Sequence, residues 1–398
     1  MLPYVGPATA LPLFGALARL PHALAVRVWS GLLAAALGAL VVAALLLGGT
    51  RRATALVAAL VLGIASGPGT SALALGQVAL ISAAGIACAL LAYERRARAA
   101  AVVATFVAAL QPNLALGLAG RMRDRFAVLC AASAALAFAA VTLLAGDGLA
   151  GAARYVQLLG RHGAAERFAA IQYTPAALAW SFGAAEPVAA ALGVACSAAA
   201  IAAAIAVSVR ARLDATAGAL VALAALPLVV GFVHEHDFVV ELIPLVVLAL
   251  GARGRARVWS GLATALICVD WFGLAQRPTA GAQIVAMGVA VGCAFIALGR
   301  GARVTRADAS ALVAIVALAC LALPLGRAYP APVWPDALPV AYRAPADADA
   351  AAVWADELRA GGLTARQPAW GVLRALPLAG CIVLGVALVA GRRRRSSD

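Results

Sequence analysis

Residues 24–48 read LAVRVWSGLLAAALGALVVAALLLG. From residue 28 to residue 48 the run carries no charge. A helix rises about 1.5 Å per residue, so this run is long enough to cross a hydrocarbon layer about 30 Å thick. A surface helix of a soluble protein would show a polar face at every turn, and this run shows none. The fold class is decided here: the chain crosses a membrane.

The same ruler, applied outward, finds apolar runs at 53–69, 71–92, 126–145, 188–208, 215–232, 238–250, 257–273, 281–299, 308–326 and 371–391. The expectation is an all-α polytopic membrane protein of about 11 spans. Composition agrees. Of 398 residues, 65% are hydrophobic and 12% charged, against about 25% charged in soluble domains. So few charges cannot clothe a water-facing surface, and a soluble, disordered or disulfide-stapled chain is excluded.

Charge fixes the expected orientation. The 31 basic residues are all arginines, and the net charge is +14. They cluster at Arg51–Arg52, Arg95–Arg98, Arg121–Arg125, Arg210–Arg212, Arg253–Arg257, Arg300–Arg306 and Arg392–Arg395. Short basic clusters between apolar runs mark cytoplasmic loops facing anionic lipid, not a nucleic-acid groove. Membrane lipids are therefore expected partners, and nucleic acid is not. The C-terminus is expected in the cytoplasm.

Segment 99–119 has arginines at both ends, so it must enter and leave on one side. Its centre is Gln111-Pro112-Asn113, and proline breaks a helix. The segment reads as a re-entrant pair of half-helices, a geometry tolerated only inside protein or a cavity. This topology places 146–187 and 327–370 outside. The expected organisation is a core over 1–326 with outer loop 146–187, a small outer-face subdomain at 327–370, and a last span and basic tail at 371–398. Within the loop, 153–171 has the pattern of an amphipathic helix lying on the membrane.

Ionisable and polar residues at membrane depth are where chemistry is sought, because burying them is costly. The densest group is Val233-His234-Glu235-His236-Asp237-Phe238, between two apolar runs at the outer face. It offers a base, acids and phosphate-directed donors. As a metal site it reads weakly, since two histidines at i, i+2 point apart on a helix; no metal and no cofactor is expected. Gly76-Gln77 near the outer end of its run permits close backbone approach. Gln111 in the re-entrant element and Arg154, Arg161 and Arg167 in the outer loop could face an anionic head group. The seven cysteines lie in or beside apolar runs with no CxxC spacing, as small filler residues do. There is no GxSxG, Walker loop or HExxH, and no internal repeat.

Several of these patterns together resemble the polyprenol-phosphate-dependent membrane glycosyltransferases of the GT-C class, in particular glycosyltransferase family 87. Tyr4-Val5-Gly6-Pro7 through Trp29 is similar to the family's aromatic-proline segment with a tryptophan at the next span. Gly76-Gln77 is similar to its GQ span, and Gln111-Pro112 stands where the family usually has Lys-Pro. His234-Glu235-His236-Asp237-Phe238, then Leu242 and Pro244, is similar to its His/Asp-rich stretch before a Leu-Pro helix. The resemblance covers about residues 1–250.

It implies a GT-C-like bundle in a bacterial plasma membrane. It also implies inverting transfer of a hexose, mannose in particular. The donor is a polyprenyl-phosphate sugar and the acceptor an envelope glycolipid or glycan on the outer face. The implied roles are donor or acceptor contact for His234 and His236, sugar positioning or base catalysis for Asp237, lipid-groove lining for Gln77 and Gln111, and phosphate binding for Arg154 and Arg161. Gly76 and Glu235 complete the substrate set. One departure bears on all this. The family carries an acidic base in the first outer loop after a first span, whereas the first acidic residue here is Glu94. The expectation is a further span and acidic loop upstream, or a relative that has lost the chemistry. A lipid or polyprenol-linked flippase and a non-catalytic assembly subunit stand as the other readings.

Overall fold

The computed structural model describes residues 6–269, 281–299, 304–328, 349–366 and 368–393. Most of the expected 327–370 subdomain, and Arg300, Arg303, Arg394 and Arg395 of the basic clusters, lie outside them. Every element among the described residues is helical.

Four helices are long and apolar enough to span a membrane: His22–Leu47, Arg125–Ala145, Glu186–Arg210 and the last, running from Pro368 to Gly391. Glu186–Arg210 has only 6% of its apolar window buried. A helix with apolar side chains on every exposed face belongs against lipid. The protein is a multi-pass membrane protein.

Three expected spans take a different form. Run 53–69 becomes Ala53–Ala65 followed by Gly67–Ala74, bent by 69°. The bend has a local cause: the Ser66 hydroxyl accepts the Gly69 amide at 3.2 Å, starting a new helix with proline in its first turn. Run 71–92 is not one helix. It divides at Leu75–Val78, and the second piece is Ala79–Glu94. Gly76 there has φ +65°, a left-handed conformation that ends the first piece. Run 238–250 is a ten-residue helix, Leu242–Gly251, almost wholly buried. At about 1.5 Å per residue it covers only about half a bilayer.

Segment 99–119 is broken where the proline predicts. Arg98–Ala108 stops, Gln111 is extended (φ −127°, ψ 91°), and a short helix restarts at Pro112. Arg98–Ala108 packs back on Ala79–Glu94. Gly85 permits the approach, since a Cβ there would lie 2.5 Å from the Ala108 nitrogen. Tyr93 Oη and Thr105 Oγ1 meet at 2.6 Å across the same contact.

On the arginine-rich side, Arg121 is buried and bonds Glu94 at 2.9 Å, with Asp124 at 3.5 Å and the Thr216 hydroxyl beside it. A second buried guanidinium, Arg257, joins four helices. It bonds Asp308 at 2.7 Å, the carbonyls of Ala249 at 2.7 Å and Phe295 at 2.8 Å, and lies 3.8 Å over the Phe295 ring.

Candidate active site

The site is built where a helix, a loop and a tight turn converge. The site helix is Gly148–Glu166, amphipathic like the helix the sequence suggests over 153–171 but starting and ending five residues sooner. It buries His162 and Glu166, four residues apart and hence on one face. The loop after it buries Gln172. The turn is a 3-10 helix, Glu235–Glu241, entered through an extended His234 (φ −104°, ψ 171°).

That local conformation corrects the expectation that His234 and His236 point apart. An extended residue followed by 3-10 residues does not obey α-helical spacing. The two imidazole rings lie 5.2 Å apart and face the same region. The Asp237 side chain closes the turn by accepting the His234 amide at 2.8 Å.

The loop and the turn are tied together directly. The Tyr173 amide bonds the Val233 carbonyl at 2.8 Å, and the Val233 amide bonds Gln172 Oε1 at 3.0 Å. Gln172 Nε2 donates to Glu166 Oε2 at 3.1 Å and lies 3.2 Å from His234 Nε2. Glu166 Oε2 is 3.2 Å from His234 Nε2, and Glu166 Oε1 is 3.7 Å from His162 Nε2. Asp237 Oδ1 is 3.6 Å from His236 Nε2 and accepts Gln111 Nε2 at 2.5 Å. Asn113, also from the broken segment, donates to the Phe232 carbonyl at 3.2 Å. The proline break thus delivers two amides to the turn.

Aromatic rings wall one side. Trp354 stands 5.3 Å from His162, His162 stands 5.2 Å from Phe232, and Phe232 stands 4.6 Å edge-on from His234. Trp354 comes from Ala350–Ala360, which packs on Gly148–Glu166.

Burial and charge set the protonation of this group. Burial works against the charged form of His234, but the hydrogen bond and charge of Glu166, with Asp237, outweigh it and raise the imidazole. Burial would likewise raise Glu166, yet His234, then His162 and Gln172, hold it below the ordinary carboxylate value. Burial pushes His236 down to about 4, helped by His234 and opposed by Asp237 and Glu166. His162 is lowered mainly by burial. At neutral pH, then, His234 is held toward imidazolium against Glu166, while His236 is a neutral imidazole beside Asp237.

Of the residues expected from sequence, His234, His236, Asp237 and Gln111 come together. Glu235 opens the turn, half-buried. Gly76 and Gln77 sit in the turn after Gly67–Ala74, a helix that packs against the site turn. Gly76 accepts Trp29 Nε1 at 3.0 Å, joining two positions of the resemblance. No hydrogen bond of the cluster reaches Gln77. Arg154 and Arg161 lie on the exposed face of Gly148–Glu166, paired with Asp147 and Asp349.

Four residues join the site that the sequence reading did not single out: Glu166, His162, Gln172 and Arg374. The His162–Glu166 spacing was the available signal for two of them. Arg374, buried in the last helix, donates to the Gln172 carbonyl at 2.9 Å, the Ala169 carbonyl at 3.5 Å and the Ser181 hydroxyl. It holds the loop that carries Gln172. Glu241, one turn past Asp237, is fully buried with neither carboxylate oxygen hydrogen-bonded.

Fold and site together define a helical membrane protein with a histidine–carboxylate centre closed by loop segments. Residues 4–233 match glycosyltransferase family 87. The chain belongs to that family and is a membrane glycosyltransferase by class. No curated protein and no solved structure matches it.

Proposed function

We propose that the protein transfers a hexose, mannose in the reading favoured here, from a polyprenyl-phosphate donor to an envelope glycolipid or glycan. The reaction takes place at the outer face of a bacterial plasma membrane, with the C-terminus cytoplasmic. The observation that carries the proposal is the double pair Glu166–His234 and Asp237–His236, in a chain of this family.

Such a transfer needs two things. The acceptor hydroxyl must lose a proton as it attacks C1 of the sugar, and the departing lipid phosphate must be met by positive charge or donors. His236, neutral and backed by Asp237, serves as the base. The acceptor oxygen–C1 bond forms, the C1–phosphate oxygen bond breaks with inversion, and the hydroxyl proton passes to the His236–Asp237 pair. His234, supported by Glu166, meets the leaving phosphate. Gln111 fixes the Asp237 carboxylate. Arg374 acts through the loop and is a positioning residue.

Membranes containing the protein, incubated with radiolabelled polyprenyl-phosphate-mannose or with labelled nucleotide-mannose, test this. The account expects label to move from the lipid donor alone. Transfer from the nucleotide sugar with none from the lipid overturns it.

A further inference from the structure

We propose that Arg167 and Arg366, set beside the Phe168–Trp180 aromatic pair, bind an acidic group, phosphate or carboxylate, carried by the acceptor. That the anion belongs to the acceptor rests on the transfer reading above; the anion site itself rests on geometry.

Two segments far apart in sequence build the site. The loop after Glu166 carries Gln172 to Glu166 and His234. Residues 361–366 lie against that loop, where the Ala170 amide donates to the Leu363 carbonyl at 2.6 Å. Phe168, at the start of the loop, stacks on Trp180 with ring centroids 5.9 Å apart and an interplanar angle of 28°. The Arg366 guanidinium lies 5.2 Å from the centre of the Trp180 ring. Arg167 stands between Glu166 and Phe168 in the chain. Two cations thus border one aromatic pair, on the loop that serves the catalytic cluster.

Both cations are open. Arg167 and Arg366 are exposed, and no carboxylate among the described residues pairs with either. Other arginines of the same two regions are taken: Arg154 by Asp147, Arg161 by Asp349 and Arg359 by Asp356. Glu166, the acid next to Arg167, is committed to His234 and His162. A guanidinium over an aromatic ring uses its face there, so its in-plane N–H donors stay free to fork onto an anion. The ring also orients Arg366, which reduces the freedom lost when an anion binds. Trp180 is buried, and its Nε1 has no hydrogen-bond partner among the described residues. The aromatic pair is therefore surrounded by unmet donors and lacks acceptors, an imbalance that an anion corrects.

The donor's phosphate is already provided for, since the transfer reading meets it at His234. Arg167 and Arg366 belong to the exposed rim of the same loop, outside the His234–Glu166 cluster. A second anion, on the acceptor, fits that place. Its capture holds the acceptor against the loop that carries Gln172 into the site.

The test uses the full chain in neutral detergent. Binding of a phosphorylated octyl mannoside and of its unphosphorylated parent is measured by microscale thermophoresis. The phosphorylated probe should bind at least about tenfold more tightly. Arg167→Gln and Arg366→Gln should each remove most of that preference with the fold intact, since both positions are exposed. Arg359→Gln, whose guanidinium is paired with Asp356, should keep it. Equal binding of the two probes by wild type, or a preference unchanged in either glutamine variant, overturns the anion site. Nanodiscs of phosphatidylcholine with and without phosphatidylglycerol separate the two sources of the anion. A probe displaced by phosphatidylglycerol assigns the arginines to a lipid head group and overturns the acceptor assignment. Arginine-dependent binding in a protein that moves no sugar from any polyprenyl-phosphate donor leaves the anion site standing and overturns the transfer reading.

Discussion

Glu166 Oε2 lies 3.2 Å from His234 Nε2, joining the end of helix Gly148–Glu166 to the entrance of the site turn. Both groups are withdrawn from solvent, and each shifts the other toward its charged form.

This pair sets a pH window for stability. The Glu166 carboxyl is held below its ordinary value of 4.5, so its contribution is complete above that value and is lost as pH falls through the lowered one. His234 is held above its ordinary 6.5, so its contribution is complete below 6.5 and is lost as pH rises through the raised value. Both are present in full between the two. Glu166→Gln should therefore lower the melting temperature most between those values. Thermal unfolding of wild type and Glu166→Gln across pH checks this; a difference that does not depend on pH contradicts it.

The buried Arg257–Asp308 pair predicts a large single-site effect. Asp308→Ala leaves a guanidinium buried without its carboxylate, which should cost about 3–5 kcal/mol. Replacing both residues by leucine should recover much of the loss, because no charge is then stranded. Unfolding of the single and double variants in detergent measures it.

Gly76 predicts a backbone effect. Its φ of +65° disfavours any side chain, and a Cβ would meet Trp29 Nε1 at 3.1 Å. Gly76→Ala should cost about 1–2 kcal/mol from the left-handed conformation alone. Gly76→Val should cost more and break the Trp29–Gly76 hydrogen bond. Equal melting temperatures for wild type and Gly76→Val would remove this contact from the account.

Arg374 predicts an effect on turnover that spreads through the loop. Arg374→Lys keeps the charge but loses the planar fork that reaches Gln172, Ala169 and Ser181 together. Its kcat should fall while its KM for the lipid donor changes little, in a protein that still elutes as a single species. A rise in KM alone would place Arg374 in donor binding instead.

Much of this was legible in the sequence. The uncharged run after Arg27 defines the membrane class, and Gln111-Pro112 marks the broken segment. The His234–Asp237 stretch marks the site turn. The sequence misleads where backbone conformation overrides a period. Run 71–92 is apolar throughout, yet Gly76 turns the chain inside it. The i, i+2 spacing of His234 and His236 separates them only on a helix, and His234 is extended. Contacts distant in sequence were not readable at all. Glu166 and Arg374 look like an ordinary loop acid and a stray span arginine until the fold brings them to Gln172 and His234. The hydrogen bond from Gln111 to Asp237 at 2.5 Å is another such contact.

The most direct test is the rate of labelled mannose transfer from polyprenyl-phosphate-mannose by the purified protein in liposomes, for wild type, Asp237→Asn and His236→Ala. The account predicts transfer by wild type and a loss of more than about tenfold in each variant, with folding intact. Wild-type transfer that both variants match would contradict it and move the chemistry away from the site turn.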